Sequence, residues 1–130
     1  MSIMMVLEIE RGVESAKIVR ILESTGATAI LDKQPKIHGN FPISNMFYSY
    51  EECSALEGKP KAEDFHGDWA VGSRIVFVYV NERLADCSSQ LHDFLRTIDE
   101  IVFSRWVLSF QYESVCAMRD RHGTHYLKDF

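Results

Sequence analysis

Few residues in this sequence have the types and spacing that chemistry uses. His122 and His125 are separated by two residues, with Asp120 nearby. Two imidazoles and a carboxylate are the beginning of a metal site. They straddle the turn-forming tract Arg119-Asp120-Arg121-His122-Gly123, however, where the rings do not aim at one point and spacing implies no third ligand. Adjacent acids occur at Glu51-Glu52 and Glu63-Asp64. A catalytic pair needs two carboxylates converging on a cleft with pKa values pushed apart, whereas neighbours on an extended chain point to opposite sides. His38 and His66 flank an acidic stretch, and an enzyme would need one of them within hydrogen-bond reach of an acid there. His92 falls beside an apolar helical stripe and reads as structural. No GxGxxG, Walker sequence, HExxH, GxSxG or CxxC occurs. The expectation is a protein that is not an enzyme, with no metal and no cofactor.

The elements that would carry these groups centre on residues 74 to 101. Arg74 to Val80 is a β-branched and aromatic run suited to one buried strand. Asn81 follows as an N-cap candidate, with Glu82 placing a carboxylate in the first turn. Leu84, Cys87, Leu91, Phe94, Leu95, Ile98 and Ile101 then recur at spacings of three and four, one face of a helix lying over the sheet. Ahead of this unit, Ile3 to Ile9 reads as a strand and Val13 to Thr25 as an amphipathic helix, with Gly26 at the C′ position. Ala27 to Leu31 reads as a short strand ended by Asp32-Lys33-Gln34-Pro35. After it, Trp106 to Glu113 alternates, with Trp106, Leu108, Phe110 and Tyr112 facing one way. Val115 to Met118 continues as strand, Gly123 supplies a turn, and Thr124 to Phe130 returns as a hairpin partner.

Between the halves, residues 32–73 are punctuated by Pro35, Gly39, Pro42, Gly58, Pro60, Gly67 and Gly72. Phe41 to Tyr50 within it reads as an extended segment or a strand along a sheet edge. The whole is a single α+β domain, 1–130, carrying a long loop or edge-strand insertion at 32–73. Two βαβ-like halves predict a ferredoxin-like α/β plait: an antiparallel sheet with two helices on one face. A different pairing of the aromatic segment would give another α+β sandwich.

The formal charge of −5 argues against a nucleic-acid binder and against a peripheral protein of anionic membranes, and favours a basic partner. Cys53, Cys87 and Cys116 form no CxxC pair and suit reduced thiols. The first residues reach Glu8 too soon for a signal-peptide core, so the expected location is cytoplasmic.

Between Glu51 and Asp68 the acids Glu51, Glu52, Glu57, Glu63, Asp64 and Asp68 stand against Lys59 and Lys61, a local net of −4 that supplies most of the chain's charge. Aromatic side chains border them. Such rings give contact area at small entropic cost, and acids steer a basic partner. The candidate partner-binding residues are therefore Tyr48, Tyr50, Glu51, Glu52, Glu63, Asp64, Asp68 and Trp69. The competing account has the rings pinning the segment to the core.

In size, charge and the Phe41 to Trp69 stretch, the chain resembles bacterial toxin-immunity proteins. That resemblance implies stoichiometric inhibition of a cognate basic toxin, often a nuclease. The acids would stand in for its anionic substrate, and Tyr48, Tyr50 and Trp69 would fill pockets at the interface centre. It implies no direct contact with nucleic acid or membrane; a homodimer stays open. The rival expectation is a small-molecule-binding or regulatory domain with a pocket of Trp106, Phe110 and Tyr112 on the sheet face.

Overall fold

The structure is a computed structural model describing residues 3–31, 36–53 and 58–130. Asp32-Lys33-Gln34-Pro35 and Glu57 lie outside the described residues. Eight strands form one sheet: β1 (Ile3–Glu10), β2 (Thr28–Leu31), β3 (Lys36–Phe41), β4 (Met46–Glu52), β5 (Val71–Tyr79), β6 (Trp106–Phe110), β7 (Ser114–Asp120) and β8 (Gly123–Tyr126). Two helices, α1 (Ser15–Ser24) and α2 (Leu84–Ile101), connect β1 to β2 and β5 to β6. The spatial order is β2-β3-β4-β5-β1-β6-β7-β8, with every pairing antiparallel. The architecture is α+β, and the sheet is larger than that of a plait. No helix among the described residues is long and apolar enough to cross a membrane.

Strand alternation sorts side chains between the two faces. Met5, Leu7 and Ile9 of β1, Ile75, Phe77 and Tyr79 of β5, Tyr48 and Tyr50 of β4, and Trp106 and Leu108 of β6 share a core with both helices. Ile18, Ile21 and Leu22 of α1 and Leu91, Phe94, Leu95 and Ile98 of α2 supply the other side of it. Phe77 meets Phe94 at 5.5 Å between ring centroids with the rings tilted 60° to one another, within the separation that aromatic pairs favour. Cys87 is fully buried here, as the helical spacing predicts.

Several boundaries differ from expectation, each for a local reason. Asn81 does not cap α2; Asn81–Arg83 forms a 3-10 turn and the helix begins at Leu84 without a side-chain cap. Gly26 follows α1 at φ 110°, where a side chain would be strained. β6 stops at Phe110, because Gln111 and Tyr112 both take positive φ and turn the chain into β7. Tyr112 therefore leaves the row of Trp106, Leu108 and Phe110.

The largest difference falls in residues 32–73. Phe41 to Tyr50 is the end of β3, a turn, and most of β4, and β4 is paired on both sides, to β3 and to β5. It is an inner strand and not an edge. What places β3 so close is Gly39: a Cβ there would sit 1.9 Å from the Thr28 carbonyl oxygen and 2.7 Å from the Tyr48 hydroxyl. Tyr48 uses that approach, donating its hydroxyl to the Thr28 oxygen at 3.0 Å.

Candidate functional site

The sheet face opposite the helices is where the acids and the exposed apolar groups come together. It is built in cross-strand rows. Phe47, Val78 and Met4 stand side by side on β4, β5 and β1; Phe47 is 51% exposed and Met4 40%. The next row holds Ser49, Val76 and Val6, and the one after it Glu51, Arg74, Glu8 and Val107.

Residues 58–70 cross the far half of this face without regular secondary structure. A buried carboxylate anchors them there. Glu8, fully buried, accepts from the backbone N–H groups of Lys61 (2.8 Å) and Ala62 (3.1 Å) and from Arg74 Nε (2.9 Å). A buried carboxylate tolerates loss of water only with such a complement of donors. Ala62 and Trp69 pack with Val71, Val107 and Val115 in a second apolar cluster, and Phe65 lies 6.0 Å from Trp69. The Glu63 N–H donates to the Tyr112 carbonyl at 2.6 Å. Burial raises the Tyr112 hydroxyl pKa against the opposing pull of Arg74, with Glu8 and Glu51 adding to the rise.

This geometry corrects the aromatic half of the predicted partner site. Tyr48, Tyr50 and Trp69 are 2%, 1% and 5% exposed. They pin strands and loop to the two cores. Burial raises the Tyr48 pKa and pushes that of Tyr50 to about 12, with Glu23 and Glu52 respectively adding to the effect. The ring on β4 that does reach solvent is Phe47, one position away. Alternation contained that signal, since Phe47 has the opposite parity to the two tyrosines.

The predicted acids divide. Glu51, Glu63 and Asp64 are exposed on or over this face. Glu52, one residue on from Glu51, belongs to the helix side, paired with Ser73. Asp68 pairs with Arg105 at 3.2 Å in the opposite corner. The aromatic pocket expected from Trp106, Phe110 and Tyr112 does not form. Trp106 is fully buried under the helices with its indole N–H on Asp99, while Tyr112 serves the other face.

The histidines are spread out. His122 gives its backbone N–H to Asp120 at 2.7 Å, and His125 Nε2 lies 3.2 Å from the same carboxylate, so the trio stabilises its own hairpin turn. No group of three or more His, Cys, Asp or Glu side chains is arranged to hold a metal among the described residues. His92 stacks on Phe130 at 4.0 Å and its Nδ1 meets the Ser88 carbonyl at 2.8 Å. His38 is exposed on β3 and His66 on the 58–70 segment. Cys53, at the end of β4, has its sulfur 3.4 Å from Arg74 Nη1.

Comparison with protein-family models, with curated proteins and with solved structures finds no match to this chain.

Proposed function

We propose that this chain is a non-enzymatic binding protein that captures a basic macromolecular partner on its helix-free sheet face, in the manner of a toxin-immunity protein. The observation that carries the reading is the row Phe47–Val78–Met4 lying on the same face as Glu51, Glu63 and Asp64. An apolar row left in solvent beside a carboxylate rim is the make-up of a contact core with steering charges around it. The Glu8 clamp supports it, because it fixes the backbone just before Glu63 and Asp64 and so keeps those charges in one place. A basic toxin, a nuclease foremost, would meet these acids where it expects phosphate. The protein then acts in the cytoplasm by occlusion, without a cofactor.

The helices and the inner strands β4-β5-β1-β6 make, on this reading, a plait core widened by an extra hairpin at each edge. The burial of Trp106 leaves the rival aromatic pocket on the sheet face without a cavity.

The test is a binding comparison with a basic nuclease encoded beside this protein. Glu63→Lys with Asp64→Lys should slow association, and Phe47→Asp should speed dissociation, each in a folded protein. Unchanged affinity in both variants sinks the proposal.

A further inference from the structure

Diagonally across the sheet from Phe47, a cleft of about 340 Å³ opens between residues 65–69 and the β7–β8 turn. Its hydrogen-bonding capacity is lopsided. The acids within it are already engaged: Asp68 takes Arg105 Nη1 at 3.2 Å, and Asp120 takes the His122 N–H and His125. Glu10, behind the cleft, takes the Arg105 backbone N–H and the Nε and Nη2 edge of its guanidinium. Donors are left over. Arg121, His66 and His122 line the cleft, and among the described residues their side chains make no hydrogen bond. Trp69 is 95% buried, and its indole N–H, which still reaches solvent, makes no hydrogen bond among the described residues. Gly67 lets the chain pass over that ring: a Cβ there would stand 2.4 Å from Phe65 and 3.1 Å from the Trp69 Nε1. The size is that of a small-ligand site, and its lining offers a guanidinium, two imidazoles and an indole N–H that the described residues leave open to a ligand.

We infer that this cleft binds the anionic group, phosphate or carboxylate, of a small molecule, with Arg121 as its charge partner and the Trp69 indole N–H as a second donor. Arg105 forms the cationic floor, held by Glu10 and Asp68. The site lies at the far corner of the same face, away from the Phe47 row, and its occupancy does not depend on partner capture.

The two tryptophans supply the assay. In ¹⁵N spectra of the intact protein at constant ionic strength, inorganic phosphate, phenyl phosphate and benzoate are titrated in turn. The Trp69 indole cross-peak should move saturably, while that of Trp106, bonded to Asp99 in the core, stays still. Response to the two phosphates alone assigns a phosphate ligand; response to benzoate as well assigns any anionic oxygen. Arg121→Glu should weaken binding about tenfold or more, the loss of one charge-assisted hydrogen bond. Asp68→Asn should tighten it, and Glu63→Lys should leave it unchanged. No saturable shift into the tens of millimolar, equal movement of both indoles, or an Arg121→Glu protein that binds as wild type overturns the inference.

Discussion

Arg74 and Glu8 stand opposite one another on β5 and β1, and the carboxylate that receives Arg74 Nε also receives the backbone of Lys61 and Ala62. One buried side chain therefore ties two strands and the crossing segment together. Removing it takes the acceptor from Arg74 Nε and from two backbone N–H groups beside the second cluster. Glu8→Ala should cost about 3–5 kcal/mol in urea unfolding, the usual penalty for breaking a buried ion pair. Hydrogen exchange at the Lys61 and Ala62 amides should rise with it; protection that stays intact would show that the segment is held by something else.

Gly39 makes a second sharp prediction. With the Thr28 oxygen 1.9 Å from the position of an added Cβ, β2 and β3 cannot keep their register around an alanine. Gly39→Ala should cost about 1–3 kcal/mol, as overpacking does, and loosen the Tyr48–Thr28 contact. A thermal midpoint equal to wild type would contradict the close approach.

Phe47 and Tyr48 are neighbours with opposite fates. Tyr48→Ala empties a core site and should cost about 3–5 kcal/mol. Phe47→Ser changes an exposed ring and should stay within about 0.5 kcal/mol, while weakening partner capture. Chemical denaturation of the two variants, run together, tests which ring belongs to the fold and which to the surface.

Acid stability should carry the mark of Glu10. The Arg105 guanidinium beside it lowers its carboxyl pKa from the usual value of 4.5, outweighing partial burial. A lowered folded-state pKa gives stabilisation that is complete above the unfolded value and lost as pH falls through the folded one. Unfolding free energy measured from pH 6 down to pH 3 should therefore drop less steeply below about 4.5 in Glu10→Gln than in wild type. Parallel acid limbs would remove the pair from the account.

The helices and the strand that feeds α2 were legible in the sequence, because apolar spacing of three and four leaves little choice of face. Cys87 and Leu91 fall where that spacing puts them. The middle of the chain was harder to read. Pro and Gly in residues 36–52 look like loop punctuation, yet Gly39 is there for strand proximity and β4 runs inside the sheet. Tyr48 and Tyr50 suggested interface anchors because ring type is visible in a sequence and parity is not, until the register to Phe77 and Ile75 is known. The Glu8–Arg74 pair spans 66 residues, and no local pattern announces a contact of that separation. The Arg121 cleft likewise joins two segments that only the sheet brings near each other.

The central claim is that the helix-free face is the binding surface, and one paired capture experiment reaches it most directly. Wild type and the triple variant Phe47→Asp, Glu63→Lys, Asp64→Lys, matched in circular dichroism and unfolding midpoint, are used as bait against proteins of the native host. A basic protein should be retained in equimolar amount by wild type, released by raised salt, and lost from the variant. If both baits retain the same proteins equally, the face is not an interface and the account fails.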